Sequence, residues 1–487
     1  MSDKLLLGID EGTTAVKTAL FDVELRTVAQ ARREVAVSHP QAGWVEQDGE
    51  QILAAVLEAV AEVLEQAGGR EVIAAGLDHQ GESVLAWDAD SGEPLSRVIV
   101  WQDKRHEALL ATLGAAAVVR SGLPLDPYFS AGKLAWLLAH EDGVAAAADA
   151  GTLRLGTVDA FLTDRLGGRF ASDLSTASRT QLLARGGRDW DEQLLGTFGL
   201  RREWLPSLGP TFGALGTLQR ERWPIALPLR AQLVDQQAAL AGAGVADTTE
   251  LKATYGTGVF VLGLSATPGV PAGLLPTVAW AGAGAGGEIG EVAWALDGGV
   301  FAAGSLLDWL AGGLGLAGDA RALAAAAAAV PDSAGVLLLP ALAGLGAPWW
   351  QPRAHAVIAG LHPGVRPAHI GRAALEAISW RVADIVEAVA AERPVRALRV
   401  DGGLANDPTL LQVQADALGL PLALGAVDST VLGAAMLAGV GAGVFASVAD
   451  AAERLPPGRS VAPRGDAAGR REDRERWRRF VEAAARL

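Results

Sequence analysis

One pattern occurs twice in this 487-residue chain and constrains its fold more than any other: an apolar run, a glycine–threonine turn and a second apolar run. The first copy is Lys4 to Asp22, KLLLGIDEGTTAVKTALFD, with its turn at Gly12-Thr13-Thr14. The second, LKATYGTGVFVLGLS from Leu251 to Ser265, turns through Tyr255-Gly256-Thr257-Gly258. Apolar runs joined by a short glycine turn form β-hairpins. One copy opens each half of the chain, which predicts a duplicated α/β architecture with a cleft between the halves. Such a turn can present backbone N–H groups and threonine hydroxyls to a phosphate. Asp10, just ahead of the first turn, is placed to hold Mg²⁺ directly or through water, since hard cations take carboxylate oxygens.

A second carboxylate stands at the junction of the halves. In LVDQQAAL, Asp235 follows a short apolar approach and precedes a run of small residues, the signature of a strand or loop end that delivers an acid to a helix start. The polar break Ala246-Asp247-Thr248-Thr249 divides the chain into an N-terminal unit, residues 1–246, and a C-terminal unit, residues 247–487. Gln51 to Gly69 carries apolar residues at helical spacing. The strand expected at Val72 to Leu77 runs into Asp78-His79-Gln80-Gly81-Glu82, and Arg97 to Val100 runs into Trp101-Gln102-Asp103. Polar groups beyond strand ends are where open α/β sheets collect ligands. Trp101 beside Glu82 and Asp235 suits a polyhydroxylated ligand, the ring covering C–H groups while the carboxylates accept hydroxyl protons. Leu398 to Asn406, LRVDGGLAN, is expected to form strand, glycine turn and helix start, with Gly402 and Gly403 permitting close approach to a phosphate or ribose. The arginines of the tail after Arg464 alternate with Asp and Glu, which predicts a solvated helix.

Composition narrows the function classes. A net charge of -15 argues against a nucleic-acid surface. The absence of cysteine excludes a disulfide framework and thiolate metal sites. MSDKLLLGIDEG lacks a signal-peptide h-region and no long uncharged apolar span occurs, so the expectation is a cytoplasmic protein with no membrane insertion.

GIDEGTT, IVWQDKR, DPYFSAGK, LVDQQAAL, TYGTGVF, LPALAGLGAPWW and RVDGG occur in this order. Together with AVIAGLHPGVRPAHIGRAALE they resemble the FGGY family of carbohydrate kinases, most closely its glycerol kinase branch. The resemblance implies two ribonuclease-H-like α/β domains, as in actin-like ATPases, with the active site in the interdomain cleft. It implies ATP and Mg²⁺ as cofactors, a small-molecule polyol or sugar as substrate, and a homo-oligomer. Glu82, Trp101, Tyr128, Asp235, Gln236 and Phe260 match positions around the acceptor in that branch, and Asp235 is the expected catalytic base. Thr13, Thr14 and Lys17 from the first turn and Thr257 from the second would grip the phosphates. Gly304, Asp308, Gly403 and either Asn406 or Asp407 would line the nucleotide, and Asp10 would organise the metal. The loop Asp173 to Arg179, DLSTASR, resembles a family loop of structural role.

Three positions depart from glycerol kinases: Lys17 replaces Arg, Asp308 replaces Gln, and Gly81 stands where Gln-Arg-Glu supplies a guanidinium. Loss of that charge-assisted donor is worth about 1.5–3 kcal/mol of binding and opens space for a longer acceptor. Three functions follow: ATP-dependent phosphorylation of a small polyol; a kinase for a four- or five-carbon polyol or ketose (tetritol, pentitol, xylulose or ribulose); and a non-catalytic sugar- or nucleotide-binding regulator.

Overall fold

The computed structural model describes residues 3–219, 223–425, 428–456, 458–464 and 466–486, so the outermost residues of the two expected units, 1 and 487, lie outside it. The repeated hairpin is the start of each half. β1 (Lys4–Glu11), β2 (Ala15–Asp22) and β3 (Thr27–Glu34) form an antiparallel meander. β4 (Glu71–His79) pairs parallel with β1; β5 (Phe212–Leu218) and β6 (Leu227–Val234) follow, β6 running parallel to β4.

The second half repeats the order. β7 (Glu250–Tyr255) pairs antiparallel with β8 (Val259–Ser265); β9 (Leu275–Ala283) is added beside β10 (Ile289–Val300), which pairs antiparallel with β8. β11 (Ala397–Asp401) lies parallel to β7 and to β12 (Leu422–Leu424), with β13 (Ser460–Val461) at the edge. The spatial orders β3-β2-β1-β4-β6 and β10-β8-β7-β11-β12 are the same arrangement, as the duplication of the turn predicted. A Phe212–Gly282 pairing between β5 and β9 joins them into a 13-stranded sheet. Parallel strands in this arrangement deliver their C-terminal ends to one edge.

Each half has its own apolar core. A third core joins them, containing Leu6, Ala74 and Leu233 from one half and Leu262, Ala434 and Met436 from the other. Its centre is the helix Ser429–Gly441, apolar on all sides and buried along most of its length. It crosses the helix Asp235–Gly242 in backbone contact: a Cβ at Gly433 would lie 1.8 Å from the Ala238 carbonyl oxygen, and one at Gly242 would lie 1.8 Å from that of Ser429. Glycine is the residue that permits this approach. The first residue of one helix, Asp235, is thereby held at a fixed distance from the start of the other.

Elsewhere the apolar spacing of the Gln51–Gly69 segment is realised as the helix Gly49–Gln66, capped by the Asp48 carboxylate on the N–H groups of Glu50 and Gln51. The strand expected at Arg97 to Val100 shrinks to Val98–Ile99, because Asp103 accepts from the Asp103-flanking chain and from Val45 N–H, turning the chain into a loop. The tail helix Ala467–Ala484 is less solvated than its charge pattern predicted: Trp477 is buried, and Arg474 bonds Glu387 and Asp384. Among the described residues no helix is long and apolar enough to cross a membrane.

Candidate active site

The C-terminal ends of β6, β7 and β11, with Lys17 on β2, open onto one cleft. Its larger part, about 600 Å³, is lined by Lys17, Asp235, Gln236, Lys252, Gly403 and Asn406 together with Asp401 and Asp428. A smaller, mainly apolar pocket of about 100 Å³ is lined by Tyr128, Phe129, Arg179, Phe260, Asp297 and Trp350.

Asp235 is the first residue of its helix, and one of its oxygens accepts the Gln236 N–H at 2.6 Å. Burial, then the negative charges of Glu82 and Asp10, push its carboxyl up to about 7, against the opposing pull of the Gln236 N–H and the Lys252 ammonium. Glu82 is buried and accepts from Arg179 Nε at 2.8 Å; the same guanidinium bonds Asp297 through Nη1 at 2.8 Å. Arg179 therefore bridges the N-terminal and C-terminal walls of the acceptor-sized pocket, with its Cζ 5.6 Å from the Tyr128 and Phe129 ring centres.

The aromatic wall is pinned from several sides. Trp101 meets Tyr128 edge to face at 5.6 Å, and its indole N–H donates to Thr13 Oγ1 at 3.0 Å, tying this wall to the first glycine–threonine turn. The Lys133 ammonium, buried at the start of the helix Ser130–His140, donates to the carbonyls of Pro127, Tyr128 and Phe129 at 2.9, 2.6 and 3.1 Å. Burial pulls its pKa down to about 7.

Gly81 is not an opening. A Cβ there would lie 2.6 Å from Val234 Cγ1, so the room that a larger residue would need is filled by the residue immediately before Asp235. The vacant space expected from the sequence is absent at its root. Nor is a guanidinium absent from the pocket: Arg179 enters it from the short helix Leu174–Ala177, in the loop expected to be structural.

On the phosphate side, Asp10 is the last residue but one of β1 and is nearly buried; burial raises its carboxyl to about 6 despite Lys17 opposite it on β2. Lys17 Nζ bonds Asp428 at 2.9 Å. Thr14 is exposed on the turn, and Thr13 is half-buried. In the second turn, the Thr257 carbonyl accepts from Ala303 and Ser305 N–H, and Gly304 N–H donates to Gly256 at 3.0 Å, so this turn and the helix Gly304–Asp308 form one unit. Asp308 is exposed on that helix, outside the lining of the main cleft. Of the two candidates after the Gly402–Gly403 turn, Asn406 lines the cleft, while Asp407 caps the helix Pro408–Leu418 by accepting from Thr409 and Leu410 N–H at 2.7 and 3.0 Å.

Lys252 was not singled out from the sequence. It is buried on β7, its Nζ has no hydrogen-bond partner among the described residues, and Asp401 lies 3.7 Å away. Burial lowers its pKa, with Asp401 and Asp235 opposing the shift. Its position three residues ahead of the second turn was the available signal. Asp297, at the end of an ordinary apolar strand, carried none.

Models of the FGGY family of carbohydrate kinases match this chain twice, the N-terminal domain over residues 5–242 and the C-terminal domain over residues 251–442. A glycerol kinase of Citrifermentans bemidjiense is 42% identical over 461 residues, covering 92% of either chain. One from Aromatoleum aromaticum is 40% identical over 493 residues, covering 98% of each. Among solved structures, Plasmodium falciparum glycerol kinase with ADP superposes with a TM-score of 0.90 at 27% identity, covering 99% of this chain and 98% of that one. Xylulose kinase from Rhodospirillum rubrum gives 0.84 at 24% identity, covering 98% of each chain, and shares the fold.

Proposed function

The chain belongs to the FGGY family of carbohydrate kinases, and from that premise we propose that it transfers the γ-phosphoryl group of ATP to a terminal hydroxyl of a small, glycerol-like polyol. The observation that carries this reading is the position of Asp235, whose carboxyl, raised to about 7, lines the main cleft within the electrostatic reach of Glu82, the partner of Arg179 in the smaller pocket. Residues 1–246 would supply the acceptor pocket and the first phosphate turn, and residues 247–487 the nucleotide side.

Phosphoryl transfer to an alcohol needs alignment, charge neutralisation and a destination for the hydroxyl proton. The small pocket and its surroundings suit the acceptor: Tyr128 and Phe260 in its lining, with Trp101 packed on Tyr128, cover carbon, while Glu82 behind Arg179 and Asp235 in the main cleft accept hydroxyl hydrogen bonds. Asp235 takes the proton as the oxygen attacks, and a pKa near the operating pH is the favourable value for that role. Gln236 extends the polar rim beside it. Thr13, Thr14, Lys17 and Thr257 hold the phosphates, and Lys252 adds a desolvated cation on the same side. Gly304, Gly403 and Asn406 approach the nucleoside; Asp308 and Asp407 stand at its margin, Asp407 capping the helix that follows Asn406.

Asp10 offers the hard oxygen donors that Mg²⁺ takes, and the ion when bound neutralises phosphate charge.

Filling of the Gly81 position by Val234 and the presence of Arg179 favour a short acceptor over the four- or five-carbon alternative. The test is coupled ADP release with ATP and Mg²⁺ against glycerol, erythritol, threitol, the pentitols, ribulose and xylulose. Preference for glycerol is expected. A clear preference for a pentulose or pentitol would replace the acceptor assignment, and no turnover on any would revive the regulator.

A further inference from the structure

One acid in the cleft has no task in this scheme. Asp78, near the C-terminal end of β4, is fully buried, and no N–H or hydroxyl among the described residues donates to either of its carboxylate oxygens; its side-chain contact is the carboxyl of Asp10. The other buried carboxylates close by are satisfied: Glu11 accepts from Gln80 Nε2 at 2.7 Å, and Glu82 accepts from Arg179. Lys17, the nearest side-chain cation in sequence to the site, is hydrogen-bonded to Asp428 instead. Two buried carboxyls in contact, with no N–H or hydroxyl donor to Asp78, leave oxygen lone pairs of the kind a hard cation takes.

The strand register says where that cation would sit. β1 and β4 run parallel, with Asp10 directly opposite Asp78. Residues opposite each other on neighbouring strands point to the same face, and the strands lie about 4.8 Å apart. The carboxylate arms of two such residues can both reach one ion with oxygens at about 2.0–2.1 Å. Asp10 retains a small exposed surface at the cleft, whereas Asp78 lies behind it with none. The ion would therefore enter past Asp10 and be held from below by Asp78.

We propose that Asp78 is a second carboxylate ligand of the divalent cation, shared with Asp10, so that β1 and β4 form a two-carboxylate cation seat which fills before the nucleotide arrives. This rests on the reading of the chain as a cation-dependent kinase. It adds a binding step that the nucleotide does not have to supply: the ion is delivered by protein oxygens and completes its shell with water and then with phosphate.

The experiment uses the full chain, stripped with EDTA and free of nucleotide, titrated with Mn²⁺ while the free ion is followed by electron paramagnetic resonance. Wild type should bind one ion. Asp78→Asn should weaken it at least about 10-fold, as loss of a supporting metal partner does, and Asp10→Asn should do the same. Unchanged affinity in Asp78→Asn, or no binding by wild type without nucleotide, would overturn the seat. Should the variant fail to fold, Fe²⁺ and ascorbate on wild type give the answer without a mutation: backbone cleavage near both Asp10 and Asp78 supports the proposal, and cleavage near Asp10 alone overturns it. Phosphoryl transfer is assayed separately. Ion binding without turnover would sink the kinase reading and leave the seat standing, and turnover with unchanged Asp78→Asn affinity would do the reverse.

Discussion

The carboxyl of Asp235 links the geometry to a pH profile. Held at about 7 by burial first and by Glu82 and Asp10 second, it is half ionised at pH 7. One unit lower it is about one-tenth ionised, and two units lower about one-hundredth, so a reaction needing the base form loses about tenfold per unit below pH 7. The perturbation is Glu82→Gln, which removes the first of the two negative charges that raise this pKa and leaves the burial in place. The acid limb of kcat/KM should then move to lower pH, while its height falls because an acceptor contact is also altered. Lys252→Met should move the limb the other way, since the Lys252 ammonium holds the Asp235 carboxyl down. The assay is coupled ADP release at saturating ATP and Mg²⁺ from pH 5 to 8.5, with kcat/KM for the acceptor plotted for the three proteins. A profile flat across that range, or a wild-type limb near the ordinary 3.8 of an aspartate, would refute the assignment of Asp235 as a base tuned by its surroundings. A wild-type limb near 7 that stays put in Glu82→Gln would refute the charge argument alone.

Gly81→Arg alone should destabilise the protein by about 1–3 kcal/mol, the usual cost of overpacking, and Gly81→Arg with Val234→Gly should recover most of the loss in thermal denaturation. Lys133→Met leaves three buried carbonyls without their donor, so the acceptor KM should rise and the melting temperature fall, with ADP affinity unchanged in calorimetry. The Asp10 carboxyl, raised to about 6 from 3.8, keeps its proton in the folded state over a range where the unfolded chain has lost it, so its contribution to stability declines as pH rises through that window. In EDTA at pH 8, Asp10→Asn should therefore unfold at higher temperature than wild type, by up to about 3 kcal/mol of stability, while losing turnover.

The duplicated hairpin carried most of the fold in plain view: both copies became the starts of equivalent strand orders, and Lys17 beyond the first turn and Lys252 ahead of the second line one cleft. Asp235, Glu82, Trp101 and Tyr128 could be singled out in the sequence because each stands at a strand end or in a distinctive loop. What escaped depended on contacts between distant segments. Arg179 looks like the end of a structural loop until the fold brings it between Glu82 and Asp297, residues 97 and 118 positions away along the chain. Gly81 suggested a void because a single sequence gives no sign that Val234, on another strand, projects into its place. Asn406 and Asp407 were inseparable by pattern, and the helix cap separates their positions: the first turn of a helix claims the carboxylate of Asp407, while Asn406 lines the cleft with its amide donating to the Gly403 carbonyl. Asp78 was visible as a polar residue at a strand end, but its lack of any N–H or hydroxyl donor among the described residues is a property of the packed structure.

The central claim is that this cleft moves a phosphoryl group with Asp235 as the base, and the most direct test compares Asp235→Asn with wild type in two measurements on the same preparation. ADP affinity is read by calorimetry and turnover of the preferred acceptor by coupled ADP release. The account predicts ADP affinity within about twofold of wild type and turnover reduced by about 10²–10⁴, the range that a positioned general base contributes. Turnover at the wild-type level in a variant that binds ADP normally would contradict it.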